Sequence, residues 1–396
     1  MMIRIALALL LVLTGFAAMA ATDDRLSAAI GQRLFKRVWV TGPSSTKAND
    51  GLGPLFNARS CLSCHQGLDR MPLVLGADGE VASPQHVVRL SDANGAPDPV
   101  YGRQFQTSAV PGHRPEGRVM FDGSRVRLSS LGHGPMADTT RAGARDAPMM
   151  RGLGLLDDVP DEAILALEDP DDRNGDSVRG RARRLTDGRI GRFGWRASAA
   201  TLQDQIADAF HLDLGMGTER HPRPEGDCTK AQTHCREAAL SADALADKEE
   251  AEIGPEILAM LANYLASIDA PNGKPPVDAS DLFASTGCAT CHRPQLPTRS
   301  GGTARAFTNL LLHDLGADLD GGATDPGIAS TEWRTAPLWG LSRTLRRGAG
   351  LMHDGRARTV EEAIALHGGE GASARAHFNA LSAADRQRMI DYVTGL

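Results

Sequence analysis

Two strings decide how this chain is read: Cys61-Leu62-Ser63-Cys64-His65 and Cys288-Ala289-Thr290-Cys291-His292. C-x-x-C-H is the attachment pattern for c-type haem. Two thiols at that spacing add to the two vinyl groups of one porphyrin, and the adjoining imidazole is then held beneath the iron. A thioredoxin-like redox pair needs no histidine after its second cysteine. One zinc knuckle cannot join motifs more than half the chain apart. Two copies therefore imply two covalently bound haem c groups. Cys61, Cys64, Cys288 and Cys291 hold them, and His65 and His292 ligate their irons. Pro294 marks a loop whose carbonyl is expected to accept the other ring N–H of His292 and fix its tautomer. Gly67 stands at that offset after His65.

Working outward, each motif follows a Leu-Phe step on an amphipathic segment, Leu34-Phe35 and Leu282-Phe283. Each is also followed, much later, by a helical pattern carrying a tyrosine. Tyr264 lies in 257–268 and Tyr392 lies near the chain end. First helix, CxxCH and last helix with an aromatic outline the class I cytochrome c fold. The expected architecture is mainly α, with two class I cytochrome c-like domains, the first enlarged by loop and short-strand insertions. Domain one spans 21–269, a Pro/Gly linker 270–276, and domain two 277–396. The insertions fall in 66–147 and 217–251. A second repeated unit places Thr201 six residues after Trp195 and Thr359 six after His353. Each threonine is expected to cap a helix with acids in its first turn.

Composition agrees with an exported haem protein. The 396 residues are 41% hydrophobic yet hold only 10 Phe, 4 Trp and 3 Tyr, so large rings are scarce for the core. Porphyrins would fill that space, and without them cavities are expected beside His65 and His292. A net charge of −6 leaves no basic footprint for nucleic acid. Residues 1–20 read as a cleaved signal peptide: Arg4, an apolar run from Ile5 to Leu13, then Ala18-Met19-Ala20. The mature chain is expected to be periplasmic with no membrane span. Disulfides persist in that compartment. Parity leaves Cys228 and Cys235 for a local disulfide, with a zinc site using His221 and His234 as the alternative.

Several longer strings resemble the dihaem oxidoreductase family (so-called thiol oxidoreductases) within the bacterial dihaem cytochrome c peroxidase superfamily. They are Gly53-Pro54-Leu55-Phe56-Asn57, Gly191-Arg192-Phe193-Gly194-Trp195 and the run from Glu332 to Leu341. A fourth extends from His353-Asp354-Gly355-Arg356-Ala357 through Glu361-Glu362-Ala363-Ile364 to His367-Gly368-Gly369-Glu370. The resemblance implies that Trp195 relays electrons between the haems. It implies that the second haem takes its sixth ligand from His367, fourteen residues after His353, where the peroxidases usually have Met. His-for-Met ligation lowers the potential and closes that haem. His353 is then a pocket residue near a propionate. As an alternative, His367 caps the end of its helix.

The same resemblance places the peroxidases' catalytic Glu-Met pair at Gly215 and Met216, so the glutamate is missing. Asp213, two residues away, is the candidate substitute, with a structural hydrogen bond as its other reading. His86, His113, His133, His211, Met136 and Met216 are candidates for the first haem's sixth position.

Asp172, Asn174 and Asp176 follow a D-x-N-x-D pattern that suits Ca²⁺ or an acidic solvated turn. The basic runs Arg179–Arg184 and Arg346-Arg347 suit propionates, an acidic redox partner or plain solvent. The function expected is a dihaem oxidoreductase, peroxidase-like. It takes electrons from a small donor such as a cytochrome or cupredoxin and delivers them to peroxide or another small oxidant. The alternatives are a non-enzymatic electron-transfer protein and a haem-based accessory or sensor protein in iron handling.

Overall fold

A computed structural model describes residues 24–42, 44–45, 49–122, 125–246 and 252–396. The proposed signal peptide, 1–20, lies outside the described residues. The helical repeat is present. A helix over 24–36 meets helix Pro255–Ala266, and Phe35 stacks near Tyr264 with ring centres 5.5 Å apart. In the second half, helix Ser280–Ser285 meets helix Ala383–Thr394, and Phe283 lies 5.9 Å from Tyr392. The first crossing is tight at Gly31, where a Cβ would run into the Met260 carbonyl. Thr201 and Thr359 both cap as expected. Thr201 accepts from the Asp204 N–H at 3.1 Å, and Thr359 accepts from the Glu362 N–H at 3.0 Å.

Around these helices the expectation of a mainly α, cytochrome c-like fold is overturned. The chain is 31% helical and 15% strand, with several small antiparallel sheets. The repeated helices account for the local signal, whereas the long segments between them carry alternating short strands and glycine turns. The largest sheet is three-stranded, with His86–Ser91 between Gln104–Phe105 and Arg141–Asp146. A hairpin joins Arg118–Asp122 to Arg125–Ser129. Strand Leu312–Asp314 pairs with Glu332–Arg334 in the second half.

The three largest apolar clusters among the described residues hold the fold. One gathers Phe35, Trp39, Phe210, Leu261 and Leu265 around the first motif, and Leu310 and Trp339 from the later segment join it. A second packs Phe283, Phe307, Phe378 and Met389 around the second motif. The third, with Val88, Leu90, Tyr101 and Phe105, backs the three-stranded sheet. No helix among the described residues is long and apolar enough to cross a membrane.

Candidate functional site

Each C-x-x-C forms one short helical turn, Cys61–Cys64 and Cys288–Cys291, and hands its histidine to the C-cap. Ser60 caps the first turn through the Ser63 N–H at 3.2 Å. At the second motif, His292 Nδ1 hydrogen-bonds the Phe307 carbonyl at 2.9 Å. This corrects the expected acceptor, the loop carbonyl near Pro294: the chain returns at Phe307 to do that job. Across a gap, His367 Nδ1 bonds the Ala363 carbonyl at 2.7 Å, one helical turn back. Both rings thus have Nδ1 spoken for, leaving Nε2 for any metal. Their centres are 6.4 Å apart. Two metal–nitrogen bonds of about 2 Å, each nitrogen about 1.2 Å from its ring centre, span about that distance. Burial holds both imidazoles below their usual pKa, His292 at about 4, which keeps them neutral as ligands must be.

The first motif faces a large cavity instead. Its apolar wall includes Phe35, Leu156, Ile206, Phe210, Leu261 and Trp339. Its polar wall carries six arginines together with Asp146, Asp213 and Asp325. Burial lowers His65 to about 4, and Nδ1 has no hydrogen bond of ordinary geometry, although the Pro148 carbonyl faces it. A greasy pocket with charge at one end suits an amphipathic disc bearing carboxylates. Asp213 enters from the end of helix Leu202–Asp213, and its Oδ1 accepts from Gln104 Nε2 at 2.8 Å. Burial raises its pKa, against the pull of Arg89 and the Gln104 bond.

Trp195 lines the same cavity and is tied to both halves of the chain. Its indole N–H donates to the Asp146 carbonyl at 2.8 Å, and the Arg70 guanidinium lies 5.3 Å from its ring centre. Its own carbonyl accepts from the Arg334 N–H at 3.0 Å. Arg70 grips the Asp146 carboxylate at 2.5 Å and the Met352 carbonyl at 2.8 Å.

A family model described as "Di-haem oxidoreductase, putative peroxidase" matches residues 124–396. The chain belongs to the di-haem oxidoreductase family. No curated protein matches it. Among solved structures, Kuenenia stuttgartiensis hydrazine synthase pressurized with xenon aligns over 92% of each chain at 13% identity. Its TM-score of 0.32 bears on neither fold nor function. Haem is therefore the cofactor class of this di-haem oxidoreductase, and both motif environments fit it.

The remaining predicted residues fall as follows. At Gly215 the backbone has φ +67, and a Cβ would run into the Leu55 carbonyl. A glutamate is thus sterically excluded there as well as absent. Met216 is fully buried in the core. None of His86, His113, His133, His211, Met136 and Met216 lines the first cavity; Met149 and Met150 do. His86 lies between Ser83 Oγ at 3.2 Å and Asp146 Oδ1 at 3.5 Å. His211 stacks on His221, which bonds Asp208 at 2.7 Å. His353 is buried face to face with Trp333, ring centres 3.7 Å apart, and burial with four nearby arginines keeps it well below its usual pKa.

The Asp169–Asp176 carboxylates and Asn174 accept N–H groups of their own loop. Among the described residues, no cluster of three or more His, Cys, Asp or Glu is placed to hold a metal ion. Cys228 is joined to Cys235, Cα atoms 6.3 Å apart. The basic runs are largely paired internally: Arg181 with Glu332, Arg183 with Asp325, Arg184 with Glu168, and Arg347 with Asp69.

Two groups at the site carry no local sequence signal. Arg145 and Arg196 lie 4.7 and 4.1 Å from the Trp333 ring centre. Gln104, fully buried, contacts Asn57, Asp213 and the Leu212 carbonyl through one amide nitrogen. Only long-range packing brings each to its partners.

Proposed function

We propose that this chain is a periplasmic dihaem c-type oxidoreductase that reduces peroxide or a similar small oxidant. Cys61 and Cys64 hold one haem with His65 as ligand. Cys288 and Cys291 hold the other between His292 and His367, in the unit from 277 to 396. Electrons come from a small donor protein, a cytochrome or cupredoxin, and cross between the halves by way of Trp195. The haems supply the one-electron chemistry, and the chain supplies position and charge.

The observation that carries this reading is an asymmetry. His292 has a second imidazole 6.4 Å away, ring centre to ring centre, whereas His65 lines a cavity in which it is the only lining histidine among the described residues. One centre is thus built to hold electrons and the other to admit a ligand. At the His65 centre, Asp213 holds a proton to higher pH than an ordinary aspartate does, its carboxylate held by Gln104. Reduction of peroxide to two waters consumes two electrons and two protons, and a carboxyl poised in the cavity can deliver one.

The test is stopped-flow mixing of fully reduced holoprotein with peroxide. Peroxide-dependent oxidation on the millisecond-to-second scale supports the reading; reduced protein that persists for minutes contradicts it. Excluded glutamate at Gly215 favours a second reading, electron transfer without catalysis, which predicts that persistence.

A further inference from the structure

The three-stranded sheet lays one face on the first cavity. Alternation along His86–Ser91 sends Val88 and Leu90 into the apolar cluster behind, and Val87 and Arg89 into the cavity. Arg89 stands opposite Gln104 on one side and Gly143 on the other. Gly143 has no side chain to offer it.

The six cavity arginines differ in how they are engaged. Arg70 holds the Asp146 carboxylate and Arg151 holds Asp69. Arg145 is spent on the Ala144, Gly321 and Ala323 carbonyls. Arg196 takes the Ala329, Glu332 and Ser330 carbonyls, and Arg334 takes those of Gly194 and Thr335. Among the described residues, no hydrogen bond or ion pair engages the Arg89 guanidinium. It feels Asp213, Asp227 and Asp325 only through space. A guanidinium presents five donors in a planar fork that matches a carboxylate or oxyanion. In this cavity one such fork is left to bind what enters.

We propose that Arg89 is the anion-binding residue of the first cavity, holding a carboxylate or small inorganic anion against the sheet face beside Gln104 and Asp213. The proposal rests on the dihaem reading in one respect, since the anion is either a porphyrin propionate or a free ligand near the iron.

The test uses ferric holoprotein carrying Arg89→Gln or Arg89→Lys, with haem counted per chain. Each is titrated with fluoride and taken through a redox titration. If the anion is a free ligand, Arg89→Gln weakens fluoride roughly tenfold or more, the scale of a lost charged hydrogen bond, and Arg89→Lys keeps most of the affinity. If it is a propionate, fluoride is unaffected while the first haem's potential falls in Arg89→Gln and recovers in Arg89→Lys. Two haems bound with both readouts unchanged in Arg89→Gln overturns the proposal. One haem per wild-type chain contradicts the dihaem reading instead. Formate titration followed by the Arg89 Nε–H resonance then decides the anion site by itself, a shift supporting it and no shift overturning it.

Discussion

His292 and His367 face each other with ring centres 6.4 Å apart, each anchored through Nδ1 to a backbone carbonyl. The two anchors come from different places, a returning loop at Phe307 and a helical turn at Ala363, yet each engages Nδ1 and leaves Nε2 uncommitted. His367→Ala removes one imidazole of the pair. The expected result is a second haem that turns from low-spin to high-spin or ligand-accessible, read by optical and EPR spectra, with His292 unaltered. His367→Met restores the low-spin state at a higher potential. An unchanged spectrum in His367→Ala would mean that His367 only caps its helix.

Asp213 sits where the cavity, the Gln104 amide and the end of helix Leu202–Asp213 meet. Asp213→Asn keeps the shape and removes the proton donor. Peroxide turnover is expected to fall by about 10²–10⁴-fold, with the alkaline limb of its pH profile lost and haem content unchanged. A loss without change of pH profile would assign Asp213 a purely structural part.

Asp227 gives a stability prediction. Burial pushes it up to about 6 from 3.8, although the Gln104 and Arg103 backbone N–H groups pull the other way. The folded protein therefore binds this proton more tightly than the unfolded chain does. Its contribution is present below pH 4 and is lost as pH rises to about 6, a change on the order of 3 kcal/mol. Urea unfolding of wild type and Asp227→Asn from pH 4.5 to 7.5 should show stability curves that converge toward low pH. Parallel curves would contradict it.

Gly215→Glu tests whether the peroxidase glutamate can be restored. Positive φ and the Leu55 carbonyl oppose any side chain there. The variant is expected to lose about 3 kcal/mol of stability from overpacking and backbone strain, with no gain in peroxide turnover. A stable, faster variant would show that the loop can open.

Short-range patterns were the legible part of this chain. The two CxxCH turns and the Thr201 and Thr359 caps depend on spacing within one or two turns, and the Phe35–Tyr264 and Phe283–Tyr392 crossings were legible through the helix repeat around each motif. What spacing does not encode is register. Arg89 and Gln104 look like ordinary strand polar residues, and only their pairing across the sheet sets Arg89 on the cavity wall beside the buried Gln104 that holds Asp213. The mainly α expectation failed for the same reason. Four helices around two motifs were visible, while the strands of 86–146 are short and interrupted by glycine turns.

EPR of the fully oxidised holoprotein, before and after cyanide, tests the central claim most directly. The account predicts two haems per chain. The signal assigned by His367→Ala to the C-terminal centre is low-spin and indifferent to cyanide, while the other is high-spin or shifts when cyanide binds. Two low-spin centres that both ignore cyanide would contradict it.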